Sequence, residues 1–426
     1  MKYSIITLGC KVNQYETQAI DAMLRERGHI PVKSGAEAII INTCAVTAES
    51  GRKSRQAVRR AKQENPGAIT AVCGCFSQVS PEEVKGLEAD IIRGTGDRGK
   101  MADDLEAVLR ERRIIEDIDD PFSRREFEQL PAGAVDGRTR AMLKIEDGCE
   151  NFCSYCVIPY ARGRVRSLPV DDAIKQAQEL EKQGFKELII TGIEISSYGK
   201  DLSGDTGLID VIEAIVKAVP KLRLRLGSLE PTVVTYDFCV RLRDLGSVCD
   251  HFHLSLQSGC DETLGAMRRK YNTAQFYATA ELLMTFFPGC ALTADLITGF
   301  PGETEEHHRN TLAFIEKCAF ASMHIFPYSV RSGTKAAGMD EQLDKATKAR
   351  RAREAQEIAG RMRRDYLDSC IGRTLSVLFE TCEAGICAGH ADNYCEVSVP
   401  GEHLRGLVKS VEITGVSGEM LVGKII

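Results

Sequence analysis

Short apolar runs alternate with amphipathic stretches through the first quarter of the chain. Residues 3–8 (YSIITL) predict a buried strand, and 13–27 (NQYETQAIDAMLRER) place apolar residues at helical spacing up to Gly28. The pattern repeats as a strand over 37–42 (EAIIIN), a helix over 46–64 closed by Pro66-Gly67, and a strand over 68–73 (AITAVC). Such a βαβαβ run builds a parallel sheet with right-handed crossovers. It brings the carboxyl ends of its strands to one edge, where ligands of open α/β sheets bind. Cys10, Cys44 and the pair Cys73 and Cys75 stand at those ends, so distant cysteines are expected to converge on one place.

The acidic, proline-containing stretch 116–131 (EDIDDPFSRREFEQLP) interrupts this order and reads as a linker. The alternation then resumes, with strands expected at 140–146, 187–192, 222–227, 251–256, 291–298 and 322–327 and helices at 170–183, 208–218, 274–286 and 304–317. Six β/α units are too few for a closed eight-fold barrel, and an open six-stranded barrel is predicted. A basic helix follows over 343–366, with eight Lys+Arg against four Asp+Glu. From residue 370 short β-rich runs separated by Gly, Pro and Asn predict a small antiparallel barrel. The fold class is α/β.

The chain has 426 residues, enough for two or three domains at roughly 150 residues each. Its hydrophobic (43%) and charged (27%) fractions exclude wholesale disorder. No apolar run reaches the ~18 residues of a membrane span, and the start MKYSIITLGCKVNQ lacks the layout of a signal peptide, so no membrane partner and a cytoplasmic location are expected. The net charge of -6 means that a nucleic-acid partner must meet a local basic surface. Sixteen cysteines in such a chain point to metal or thiolate chemistry rather than a disulfide framework.

Cys149, Cys153 and Cys156 form a C-x3-C-x2-C loop directly after the first barrel strand, in KIEDGCENFCSYC. Three thiolates in a tight loop suit an iron-sulfur cluster with one iron left open; the alternatives are a structural zinc knuckle, for which no fourth ligand is close in sequence, or buried free thiols. This loop after the first strand of a six-unit barrel resembles the radical S-adenosylmethionine (SAM) enzymes. The resemblance implies a [4Fe-4S] cluster whose open iron chelates the amino and carboxylate groups of SAM, and which cleaves SAM to a 5′-deoxyadenosyl radical. Thr191-Gly192-Ile193-Glu194 is similar to the family's element that receives the SAM amino group, with Gly192 and Glu194; a loop turn with a solvated Glu is the alternative. HLSLQSGC with Ser255 and Gln257, and DLITGFPGET with Asp295, Gly299 and Glu303, are similar to family elements around the cofactor.

The whole chain resembles one subfamily, the methylthiotransferases, through TLGCKVNQYE with Cys10, INTCAV with Cys44 and CGCFSQ with Cys75. The resemblance implies a methylthiotransferase domain over 1–120, a linker over 121–134, a radical-SAM core over 135–366 and a TRAM domain over 367–426. It also implies a second [4Fe-4S] cluster on Cys10, Cys44 and Cys75. Cys73 is expected on the same side of its strand as Cys75, and a swap of ligand between the two stays open. The other cysteines are read as small buried hydrophobes; a zinc site of Cys370, Cys382, Cys387 and Cys395 would lack paired knuckles. His251, His253, His307 and His308 show no metal-site pattern.

Basic clusters at Arg162, Arg164, Arg166, at Arg268, Arg269, Lys270 and on helix 343–366, together with the small barrel, suggest RNA. The family's RNA members methylthiolate carbon 2 of a hypermodified adenosine beside the anticodon, so a tRNA anticodon stem-loop is the implied partner, with an electron donor such as flavodoxin or ferredoxin and an unknown sulfur donor. QSGCDETLGAMRRKY and FPYSVRSGTKAAGM most resemble the N6-threonylcarbamoyladenosine branch. N6-isopentenyladenosine and a ribosomal-protein aspartate are the alternative substrates, and an iron-sulfur electron carrier is the alternative class. Arg331 and Thr334 are candidate substrate contacts; a guanidinium at 331 would suit the carboxylate of a threonylcarbamoyl group, and a rim salt bridge is the alternative.

Overall fold

The computed structural model describes residues 1–111, 113–131 and 138–426; the end of the expected linker and the expected start of the barrel domain lie outside the described residues. The chain opens with a six-stranded parallel sheet. The three expected strands, Lys2–Thr7, Ala38–Thr43 and Ile69–Gly74, lie side by side. Short strands Ile30–Pro31, Ile91–Arg93 and Ile115–Asp117, which are too brief to carry a periodic signal, extend it at both edges. Helices Lys11–Glu26 and Ala48–Glu64 connect the central strands, and apolar cores form on both faces of the sheet. The Thr47 hydroxyl caps the second helix by accepting the Ser50 N–H at 3.0 Å.

The middle of the chain is a partial barrel of parallel strands in two segments. Arg140–Lys144, Glu187–Thr191 and Arg223–Leu226 form one sheet, and Ser228–Leu229, His251–Gln257, Ala291–Thr298 and Ser322–Pro327 the other. The strand expected over 222–227 is thus cut at Gly227, where a Cβ would come within 2.9 Å of the Ile190 carbonyl oxygen. Helices Tyr236–Asp244 and Asp261–Ala266 lie between expected elements. Ala141, Leu143, Leu188, Ile190, Leu224 and Leu254 pack in the core between strands and helices, so their alternates, including Lys144, Glu187, Arg225 and His253, face the lumen. This polar interior is the space that the fold reserves for chemistry.

After helix Lys345–Ser369, the last five strands close into a barrel. Its pairings are antiparallel except for Glu396–Pro400 against Met420–Ile425, which run parallel and complete the closure. One cysteine expectation is corrected here: Cys382 and Cys387 face each other across a hairpin and form a disulfide. Opposed positions on an antiparallel pair bring two thiols together whatever the sequence spacing suggests.

A buried carboxylate docks this small barrel against the amino ends of the larger barrel's strands. Glu187 accepts from Arg223 Nε at 2.6 Å and Arg225 Nε at 2.8 Å. The same guanidiniums donate onward to the carbonyls of Ser376, His390, Ala391 and Asp392 at 2.7–2.9 Å. Tyr394 lies against Arg225, 4.7 Å from guanidinium carbon to ring centre, and tilted against His251 at 4.8 Å. The arginines hold the Glu187 carboxyl down at about 2 despite its burial. A carboxyl with a folded pKa below its unfolded value of about 4.3 contributes stability above that value and loses it as pH falls. Glu187→Gln is therefore expected to lower unfolding free energy by about 3 kcal/mol at pH 7 and by much less at pH 2, checked by denaturant titration at both pH values.

Candidate active site

The N-terminal cysteines meet where the sheet ends. Cys10 begins the turn into helix Lys11–Glu26, Cys44 follows strand Ala38–Thr43, and Cys75 opens a short helix after Gly74. Gly9, at φ +102°, lets this turn pass: a Cβ there would lie 2.8 Å from Cys44 Sγ. The thiols of Cys10, Cys44 and Cys75 act on one another electrostatically, and burial raises the pKa of all three. Cys73 differs. It packs with Ile69 and Ala71 on the opposite face of the sheet from Val72 and Cys75. The expectation that it shares a side with Cys75 is corrected, because the chain leaves the strand at Gly74 (φ +105°) and the two-residue alternation ends there.

Cys149, Cys153 and Cys156 lie in the loop beyond the first barrel strand; burial raises the pKa of Cys149 and Cys156, and the nearby thiol of Cys153 adds to the rise in both. Cys156 also senses Cys75, so the two triads face the same region. Among the described residues only Cys260, Glu262 and His307 bring three donor atoms within 4.8 Å of one another. The triads are thus wider than tetrahedral zinc, whose ~2.3 Å bonds put sulfurs about 3.8 Å apart.

Positive charge is built in beside the thiols. Arg162 Nε donates to Cys75 Sγ at 3.4 Å, and Arg269 Nη1 to Cys153 Sγ at 3.2 Å. Each guanidinium is held by a carboxylate, Arg162 by Glu16 and Arg269 by Glu230. Around Glu16 the buried cations Arg98, Lys144, Arg162 and Arg166 outnumber the buried carboxylates Glu16 and Asp147 by two. They hold the Glu16 carboxyl far below the usual range. Arg162 draws the Cys75 thiol toward its anion, against the burial that on balance raises its pKa. Arg162 and Arg166, expected on an RNA-binding surface, are therefore internal, and Arg269 is largely so; Arg164, Arg268 and Lys270 stay exposed. Glu16 and Glu230 escaped notice because isolated carboxylates read as solvated.

Glu194 sits beside Cys149. Its carboxylate accepts from Asn151 Nδ2 and the Ser196 N–H, each at 3.1 Å. The Glu194 N–H donates to Glu146 Oε2 at 2.7 Å, while Glu146 Oε1 is buried without a partner. Burial raises the Glu146 pKa strongly. Gly192 is required at this crossing, since a Cβ would stand 2.8 Å from Glu146 Oε2. Asp295 lies 3.3 Å from His253 Nε2, and Gln257 adopts φ +66° at a register shift in its strand. The backbone carbonyl of Ser255 accepts from the hydroxyl of Tyr271.

Gly299 and Glu303 are placed against the long C-terminal helix. The Glu303 carboxylate accepts the Gly299 N–H at 3.1 Å and Arg351 Nη1 at 2.7 Å. Arg331 reaches the other way, into the N-terminal domain near Cys44 and Gly51, and its Nε is buried without a partner. Thr334 donates to the Arg331 carbonyl at 2.7 Å and caps the following turn, so it holds Arg331 in place. A cavity of about 690 Å³, lined by Lys11, Arg138, Arg140, Tyr394 and Arg405 among others, opens where the three parts of the chain meet. Its cations are scattered in sequence and gave no local signal.

Gly192→Ala is expected to push Glu146 and Glu194 apart and weaken SAM binding about tenfold or more, a cost of at least ~1.4 kcal/mol, with the fold intact; equilibrium binding of SAM and circular dichroism check both halves.

The Radical SAM superfamily matches residues 143–315, and the uncharacterized protein family UPF0004 matches 2–94. A threonylcarbamoyladenosine tRNA methylthiotransferase of Bacillus subtilis is 38% identical over 96% of this chain and 92% of its own length. A relative in Thermotoga maritima with the same description is 32% identical over 98% and 95%. A tRNA-2-methylthio-N(6)-dimethylallyladenosine synthase of Symbiobacterium thermophilum is 32% identical over 99% and 94%. A solved radical S-adenosylmethionine methyltransferase from Kitasatospora setae shares the fold at a TM-score of 0.59 and 13% identity, covering 91% of this chain and 77% of that one. The Cys149, Cys153, Cys156 loop falls inside the radical-SAM match and the Cys10, Cys44, Cys75 triad inside the other, and with relatives this similar along their full length the chain belongs to the radical-SAM methylthiotransferase family.

Proposed function

We propose that the protein methylthiolates carbon 2 of N6-threonylcarbamoyladenosine beside the anticodon of tRNA. The observation that carries this reading is the convergence of two cysteine triads on one region, with Arg331 reaching toward Cys44 of one of them. Cys149, Cys153 and Cys156 would hold the [4Fe-4S] cluster that binds and cleaves SAM, with Glu194 receiving the SAM ammonium. Cys10, Cys44 and Cys75 would hold a second [4Fe-4S] cluster, which presents the sulfur to be transferred. Ser255, Gln257 and Asp295 would line the lumen around SAM. The exposed cations Lys345, Arg353, Arg361 and Arg364 of helix Lys345–Ser369 and the last barrel, read as a TRAM domain, would grip the anticodon stem-loop. An electron donor and a sulfur donor are required as partners, and no helix among the described residues is long and apolar enough to cross a membrane.

The substrate branch rests on Arg331. A half-buried guanidinium whose Nε–H has no partner among the described residues matches a carboxylate, which a threonylcarbamoyl group has and an isopentenyl group lacks. Nucleoside mass spectrometry of total tRNA from cells with and without the gene tests this directly. Selective loss of the methylthio form of threonylcarbamoyladenosine is expected; loss of the isopentenyl form instead would overturn the branch, and an unchanged profile would overturn tRNA as substrate. Arg331→Ala is expected to cut turnover of threonylcarbamoyl-bearing tRNA about tenfold or more, the worth of a charged hydrogen bond of ~1.5–3 kcal/mol, with SAM cleavage in the absence of tRNA retained.

The ligand assignment has its own check. Anaerobically reconstituted Cys75→Ala protein is expected to lose the iron and sulfide of one cluster, while Cys73→Ala keeps both.

A further inference from the structure

Three aromatic rings lie together on the surface of the loop that carries Cys149, Cys153 and Cys156. Phe122 and Phe152 stack at 6.3 Å with an interplanar angle of 8°, and Tyr160 meets them edge-on at 6.4 and 5.9 Å. Phe152 is 36% exposed and Tyr160 48%. Phe152 adopts φ +47°, a conformation that costs a non-glycine residue of order 1 kcal/mol. An aromatic cluster left in water, beside a strained residue, marks a contact surface. Its place is specific, because Phe152 immediately precedes Cys153.

The margin of the patch is cationic. Arg125 donates to the Phe122 carbonyl at 3.0 Å, and Lys270 reaches Asn151 Oδ1 at 2.8 Å. Arg164 and Arg268 are exposed on neighbouring segments. Of the nearby acids Asp119 is paired with Arg124 at 2.5 and 2.6 Å and Asp120 caps the Phe122 N–H, while Glu150, 4.0 Å from Arg164, and Glu126 are exposed, so the cations Arg125, Arg164, Arg268 and Lys270 exceed the unpaired acids by one. Arg331, the candidate contact for the reacting nucleoside, lies in a different place, near Cys44 and beside the segment where the Ala48 N–H meets Ser329 Oγ at 2.9 Å. The aromatic patch therefore favours a partner other than the reacting nucleoside.

We infer that the Phe122–Phe152–Tyr160 patch is the docking face for a small, acidic one-electron donor protein. The inference rests on the reading of Cys149, Cys153 and Cys156 as cluster ligands. A donor seated there would reach the cluster that Cys153 would hold through the adjacent Phe152. One electron leaves its flavin hydroquinone anion, which becomes the neutral semiquinone, and the cluster passes from [4Fe-4S]2+ to [4Fe-4S]1+ with no proton exchanged. Electron-transfer encounters bury little surface and are steered by charge, which fits a small apolar centre with a basic rim.

The test is stopped-flow reduction of the reconstituted full chain by flavodoxin hydroquinone and, separately, by dithionite, using Tyr160→Ala and Arg125→Glu. Both variants are expected to slow reduction by flavodoxin about tenfold, with Arg125→Glu also flattening its salt dependence, while dithionite reduction and iron content match the parent protein. An unchanged flavodoxin rate overturns the inference. So does an equal loss with both reductants, which would mean a disturbed cluster, or a weakened affinity for tRNA with an unchanged flavodoxin rate, which would make the patch an RNA platform. A parent protein with no reducible cluster at the loop would instead remove the reading beneath it.

Discussion

The Glu16 carboxylate is the interaction on which the arrangement of this molecule depends. It comes from the first helix of the N-terminal domain and accepts from Arg98 of that domain and from Arg162 and Lys144 of the barrel. Burying charges of one sign alone would cost several kcal/mol per ion. Each domain carries part of the solution for the other, so the ionic cluster is complete only when the two are joined in one register. Because Arg162 also touches Cys75, that register sets how the sulfur of one triad stands toward the other. The contact is structural and electronic at once.

The lumen repeats this economy with different residues. Glu146 is kept inside without a partner for one oxygen, Glu230 holds the arginine that touches Cys153, and Gly192 leaves room for both the turn and the carboxylate. Each of these groups supports a residue that stands closer to the chemistry. Supports of this kind confine the reacting groups to one geometry in a low-dielectric interior, where oriented charges act more strongly than in water.

Much of this was legible from spacing. The βαβαβ opening, the six-unit barrel and the cysteine loop all declare themselves through period, turn residues and ligand intervals. The failures have two causes: spacing along a chain carries no information about partners far away in it, and it does not show where a strand ends or which residues a hairpin sets opposite each other. Arg162 reads as a surface cation because its counter-charge Glu16 stands well over a hundred residues earlier, and Arg166 because only the fold brings Asp147 to it. Cys73 looked equivalent to Cys75 until Gly74 ended the strand. The Cys382–Cys387 disulfide arises from hairpin register rather than from a cysteine framework. Strands of two or three residues, such as Ile30–Pro31, lie below the length at which alternation can be seen.

Tyr394 gives the last barrel a second duty. Its ring stands against Arg225, His251 and Arg140 at the amino ends of the large barrel's strands. The small barrel is therefore the floor of the lumen as well as a separate module at the end of the chain. Deleting it would open the reaction chamber from below and strip Arg223 and Arg225 of their carbonyl partners. A truncation made to ask what the module contributes to RNA binding would thus also report on a leaking chamber. Substitutions on the module's outer strands, away from Tyr394, separate handle from floor.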